Sequence, residues 1–178
     1  FEKRAAQNSS GIVAVCQELV DLAVSYSPQT PTVCLEDIDL QESSEGSEDL
    51  RSKYNLASPL LLYVGNLESY QGIDLLLKSF SVIRKEQEPP HLVIIGGSEN
   101  HISHYRSVAK EAGLEPLIVF CGPRDFSQLG YYLAQADILV SPRTKGNNTP
   151  MKIYSYLGSG KAILATRLPT HTQVLDDS

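Results

Sequence analysis

Arg143, Lys145, Lys152, Lys161 and Arg167 fall in a stretch from Ile138 to Leu175 that contains no Asp or Glu. The chain as a whole runs the other way, with 21 acidic and 15 basic residues and a net charge of -6. Inside the stretch, Ser141-Pro142-Arg143-Thr144-Lys145-Gly146-Asn147-Asn148-Thr149-Pro150 reads as a loop from a strand into a helix. A helix N-terminus has unpaired N–H groups and the positive end of the dipole. With basic side chains added, such a place suits a phosphate or diphosphate. A solvated basic face beside an ordinary helix start is the other reading of the same residues.

These residues need a scaffold, and the composition allows one. A chain of 178 residues, 42% hydrophobic and 20% charged, has the length for one globular unit with a sizeable core. Leu60-Leu61-Leu62-Tyr63-Val64 and Leu92-Val93-Ile94-Ile95 are strand-sized, and no apolar run reaches membrane-span length. Phe1 to Gly11 is polar and lacks a signal-peptide core, so a cytoplasmic location is expected. The chain opens without Met, and a piece of a longer protein is expected.

The acidity is local. Glu36, Asp37, Asp39, Glu42, Glu45, Glu48 and Asp49 are seven acids in a segment with no base. Its centre, Gln41 to Ser47, is rich in Ser, Glu and Gly, the composition of a mobile linker or exposed loop. Nucleic-acid binding is disfavoured, because no basic stripe interleaves with aromatics and Trp is absent. Cys16, Cys34 and Cys121 are too far apart for a zinc or redox motif, and buried free thiols are expected. His91, His101, His104 and His171 form no metal-ligand pattern with them, so no metal site is expected.

Short apolar runs alternate with helical patterns. Strands are predicted over Ile12–Val15, Thr32–Leu35, Leu60–Val64, Leu92–Ile95, Leu117–Phe120, Ile138–Val140 and Ala162–Ala165. Helices are predicted over Gln17–Tyr26, Ser47–Tyr54 (capped by Ser47), Ile73–Lys85, Ser103–Ala112, Ser127–Gln135, Pro150–Gly158 and Pro169–Leu175. Continuous apolar strands between helices indicate an α/β, doubly wound parallel sheet covered on both faces. Ligands on such sheets bind beyond the carboxyl ends of the strands. The loops there are Gly65 to Gly72, Gly96-Gly97-Ser98, Gly122-Pro123-Arg124 and Arg143 to Pro150. Three of them begin with Gly, which lets backbone approach a ligand, although such turns favour Gly in any case.

Taken in order, several segments resemble the C-terminal half of the group 1 (GT4-type) glycosyltransferases. They are Gly65 to Gly72, Gly96-Gly97, Phe120-Cys121-Gly122, Ala136 to Pro142, Asn148-Thr149-Pro150-Met151-Lys152-Ile153-Tyr154 and Ser159 to Thr166. The resemblance covers about Leu60 to Leu175. It implies a Rossmann-like half of a GT-B fold that binds a UDP- or GDP-sugar, retains anomeric configuration and needs no metal or other cofactor. It further implies that residues 1–46 are the tail of an N-terminal domain plus linker, and 47–178 the donor-binding domain. The acceptor domain would lie upstream, this piece alone would not turn over, and peripheral membrane association of the full-length protein is compatible with the family.

Residue by residue the match is mixed. Asn66 and Gln71 stand where the family has an Arg and a Lys for the diphosphate. Asn147 and Ser155 stand where it has paired glutamates, the second of which holds the ribose. Arg143 and Lys152 are the expected catalytic charges, stabilising the departing diphosphate. Gly65, Asn66 and Gln71 are expected at the phosphates and Ser155 at the ribose. Gly97, Pro123, Arg124, Asn147, Asn148, Thr149, Met151 and Ile153 complete the expected donor-binding set, with the 122–124 loop lining the base through its backbone. Ser155 also reads as a plain surface residue and Arg143 as a loop ion pair, while Tyr154 and Tyr156 read as packing residues. Two other functions fit the four neutral positions or the fold: a non-catalytic nucleotide-sugar-binding module, and a GT-B sugar-nucleotide epimerase. Against the epimerase, the basic stretch offers no carboxylate as acid or base.

Overall fold

The central strands of the main sheet are apolar on both sides, and each side finds a cover. The computed structural model of the protein describes residues 2–38, 48–57 and 59–176. Its elements, in chain order, are α1 (Glu2–Gln7), β1 (Ile12–Ala14), α2 (Gln17–Tyr26), β2 (Thr32–Cys34), α3 (Leu50–Tyr54), β3 (Leu60–Val64), α4 (Ile73–Ile83), β4 (His91–Ile95), α5 (Glu99–Glu111), β5 (Ile118–Gly122), α6 (Leu129–Gln135), β6 (Ile138–Ser141), α7 (Met151–Gly158), β7 (Ala162–Ala165) and α8 (Pro169–Thr172). Strands β1 and β2 pair in parallel by themselves. The other five form one parallel sheet in the order β5-β4-β3-β6-β7.

Alternation along β3 and β4 divides the core in two. Leu61, Tyr63, Leu92 and Ile94 pack with Leu76, Phe80 and Tyr105 from α4 and α5. Leu60, Leu62, Val93 and Ile95 pack with Leu50, Leu133, Ile153 and Tyr156 from α3, α6 and α7. This is the doubly wound arrangement expected from the continuous apolar runs. The chain moves outward from β3 through β4 to β5, then returns to β6 on the other side of β3. Direction therefore reverses between β3 and β6, and the crevice at their carboxyl ends is the topological switch point.

Several boundaries differ from the sequence expectation. Helix α5 begins at Glu99 rather than Ser103, because the Ser98 side chain accepts a hydrogen bond from the His101 N–H and caps it there. Helix α3 is shorter than expected and is capped by Asp49, which accepts from the N–H groups of Arg51 and Ser52. The expected cap Ser47 lies outside the described residues, as do the linker positions 39–47. The final helix stops at Thr172 rather than Leu175. Of the three free thiols only Cys16 is buried; Cys34 and Cys121 are half-exposed, which corrects the expectation of burial for all three.

A candidate anion site at the sheet switch point

The loop after β3 and the loop after β6 meet over the crevice. The Thr144 N–H donates to the Tyr70 carbonyl at 2.9 Å, and its hydroxyl reaches the same oxygen at 3.3 Å. The Tyr70 ring lies 5.6 Å from the Arg143 guanidinium carbon. Gly72 sits so close to Pro142 that a Cβ there would stand 1.9 Å from the Pro142 carbonyl oxygen. Its φ of +76 also belongs to the left-handed region, so glycine is required twice over.

Lys152 enters this crevice from the first turn of α7. Its amine donates to Gln71 Oε1 at 3.1 Å and lies 4.1 Å from the centre of the Tyr63 ring. A Cβ on Gly65 would stand 2.7 Å from that nitrogen, so a side chain there would push the amine aside. Among the described residues, neither Lys152 nor Arg143 pairs with a carboxylate. Burial of the amine, with repulsion from Arg143 second, pulls the Lys152 pKa down to about 7. Arg143 is thus near enough for its charge to disfavour the protonated Lys152 amine.

Arg143 is 7% exposed and works inside its own loop. It donates to the carbonyls of Lys145 at 2.6 Å and Asn148 at 3.0 Å, and to Asn148 Oδ1 at 3.2 Å. That replaces the ion pair weighed from the sequence. One N–H on each terminal nitrogen stays outside these bonds.

The other expected residues divide. Asn66 is exposed; its carbonyl accepts from the Tyr63 hydroxyl at 2.6 Å, and its Oδ1 from the Glu68 N–H. Asn147, Asn148 and Met151 are exposed on the loop and helix start, and Ser155 is half-buried one turn beyond Lys152 on the same helix face. Gly97 lies at the end of β4 against Leu67. Thr149 is buried, its hydroxyl accepting from Gln173 Nε2 at 2.6 Å. Ile153 is fully buried in the core and its N–H is bonded to the Pro150 carbonyl. Pro123 is exposed, and its carbonyl accepts from Arg124 at 3.1 Å. The Arg124 side chain turns to Glu48, with Nε 3.0 Å from its carboxylate. Tyr156 packs as expected and also accepts from the Val64 N–H at 3.0 Å. Sequence reasoning passed over Tyr63, Tyr70, His171 and Gln173, whose roles arise from pairings across distant parts of the chain.

A crevice lined by two cations, a glycine backbone and a neutral amide can receive a diphosphate. Residues 58–178 match the family described as glycosyl transferases group 1. The chain belongs to that family. Relatives of this group 1 glycosyltransferase chain include the D-inositol 3-phosphate glycosyltransferase of Corynebacterium aurimucosum, 28% identical over 145 residues, which are 74% of this chain and 34% of that protein. An uncharacterized glycosyltransferase of Haemophilus influenzae is 29% identical over 110 residues, 62% of this chain and 30% of its own length. The chain spans about a third of the length of the curated relatives it matches. In fold it is similar to Anabaena HepE, solved with UDP, with a TM-score of 0.78 at 16% identity over 97% of this chain and 49% of that one. Sucrose-phosphate synthase of Thermosynechococcus elongatus gives 0.77 at 20% identity, over 94% of this chain and 43% of that one. These likenesses make the fold a Rossmann-like half of the GT-B type. No described helix is long and apolar enough to cross a membrane.

Proposed function

We propose that this chain is the donor-binding part of a retaining, metal-independent glycosyltransferase, taking a UDP- or GDP-sugar at the β3/β6 crevice. Residues 47–178 form the donor domain in this reading, and 1–46 the end of an acceptor domain and its linker. The rest of the acceptor domain belongs to the longer protein, and the piece alone does not turn over. The observation that carries the reading is the Lys152 amine, held by Gln71 and Tyr63 within the influence of the Arg143 charge, with no carboxylate partner among the described residues. A diphosphate supplies the missing countercharge. As the sugar–phosphate bond breaks, negative charge grows on the leaving diphosphate, and a fixed cation there favours the transition state. Lys152 at Gln71 also answers the neutral residue at that position, since it brings the cation from α7 instead.

The second reading is a nucleotide-sugar-binding module without catalysis. It is favoured by Ser155, which has no carboxylate to offer a ribose, and by the exposed, neutral Asn66 and Asn147. Titration calorimetry with UDP and GDP tests the site. Binding at millimolar strength or better is expected, weakened about tenfold or more in Lys152→Ala, as loss of a charge-assisted contact implies. Nucleotide affinity that survives both Lys152→Ala and Arg143→Ala rejects the site. Full-length protein that binds donor but neither hydrolyses nor transfers the sugar selects the module.

A further inference from the structure

Behind the Arg143 loop lies a buried polar network. Ser141, the last residue of β6, is 0% exposed, and its hydroxyl is 3.0 Å from His171 Nε2. On the other side of the ring, Nδ1 is 2.7 Å from the Thr166 carbonyl oxygen. A carbonyl only accepts, so Nδ1 carries a proton, and in the neutral ring Nε2 accepts from the Ser141 hydroxyl. The Thr166 hydroxyl donates to the Arg143 carbonyl at 2.5 Å, and the Thr166 N–H to the Ser141 carbonyl at 3.2 Å. Two residues beyond His171, Gln173 donates to Thr149. The segment from Thr166 to Gln173 therefore grips the loop at its start, through 141 and 143, and at its end, through 149.

We propose that His171 is a positioning residue for the diphosphate: its neutral imidazole fixes Ser141 and Thr166, and through them holds the Arg143 loop in the shape the anion requires. The inference rests on the donor-site reading above. A histidine in an apolar core would satisfy its nitrogens and stop there. This one, 1% exposed, is joined through a single residue, Thr166, to the Arg143 backbone. The groups facing it are Ser141 from β6, Thr166 from the turn after β7, Arg143 from the loop and Lys152 from α7. Burial, with Arg143 and Lys152 after it, holds its pKa below the ordinary value, against an upward pull from the Thr166 carbonyl. An anion between the two cations offsets their repulsion, so the imidazole should gain its proton at higher pH once the site is filled.

UDP titrations of the wild type, His171→Ala, His171→Asn and Ser141→Ala, together with NMR titration of the His171 Cε1–H with and without UDP, test this. His171→Ala should weaken UDP about tenfold. His171→Asn should recover part of that by donating to the Thr166 carbonyl. Ser141→Ala should weaken UDP too, and adding it to His171→Ala should cost nothing more. The His171 midpoint should move up when UDP is bound. Wild-type affinity in both His171→Ala and Ser141→Ala, or a midpoint that UDP leaves in place, overturns the proposal. If His171→Ala does not fold, Ser141→Ala decides, since it removes one hydroxyl and little volume. A wild type that binds neither UDP nor GDP takes away the donor site itself, whereas normal binding with indifferent variants removes only the role of His171.

Discussion

Burial draws the Lys152 pKa down to about 7, against an ordinary 10.5, so the free amine gives up its proton near neutral pH. A bound diphosphate stabilises its charged form, so the bound pKa lies above the free one and binding takes up a proton. UDP affinity should then fall by up to about tenfold per pH unit above about pH 7. Calorimetry at pH 8 in two buffers of different ionisation heat should register uptake approaching one proton. Lys152→Arg stays charged throughout and should show neither the slope nor the uptake. The opposite sign governs the empty fold. The unfolded chain holds the proton up to its ordinary value of 10.5 and the folded one only to about 7. Lys152 therefore costs stability below about pH 7, and the cost fades as pH rises toward 10.5. Lys152 itself was legible from the acid-free stretch. Tyr63 and Gln71 were not legible as its partners, because the nearer of the two, Gln71, lies 81 residues away and both contacts depend on β3 and β6 being neighbours.

At the scale of elements, the βα alternation was readable because each buried strand is an apolar run bounded by Gly or Pro. The strand order was not, since nothing local tells β6 to return beside β3. That return is what brings Gly72 against Pro142. Gly72→Ala should test the junction, and Gly160→Ala is its control. Both glycines have positive φ, +76 and +66, but a Cβ at 160 meets nothing within 4 Å while one at 72 meets the Pro142 oxygen at 1.9 Å. Gly160→Ala should cost about 1 kcal/mol of backbone strain, and Gly72→Ala at least about 2 kcal/mol with a loss of UDP affinity as the loops part. Equal denaturation midpoints for the two variants would mean that the contact between loops carries no stability of its own. Helix α5 shows the opposite limit of legibility. Its first turn, Glu99-Asn100-His101, is polar and hides from hydrophobic periodicity, yet the Ser98 cap begins the helix there.

Across the whole molecule, Glu48 ties the chain entering the main sheet to the loop beyond β5. Its carboxylate meets Arg124 at 3.0 Å, the Tyr132 hydroxyl at 3.0 Å and the Lys53 amine, and its carbonyl accepts from Gln135 at 3.2 Å. Well before the acidic stretch, Cys16 at the start of α2 leans its thiol on the Asn147 carbonyl at 3.6 Å, so the N-terminal segment touches the proposed donor loop. The bond from Arg124, then that from Lys53, draws the Glu48 pKa down to about 2, from 4.5. A carboxylate with a depressed folded pKa contributes stability that is complete above its unfolded value and is lost as pH falls through the folded one. The contribution of Glu48 is therefore whole above about pH 4.5 and gone below about pH 2. Its side chain is 18% exposed, so solvent screens the cluster only in part. Glu48→Gln should lower stability at pH 7 by about 1–3 kcal/mol, because Arg124 loses its countercharge in a half-buried place. Thermal melts of both proteins from pH 7 to pH 2 should converge as the acid is protonated. A gap that stays constant down to pH 2 would assign the loss to packing of the amide and leave the ion pair without a part in holding the segment to the sheet.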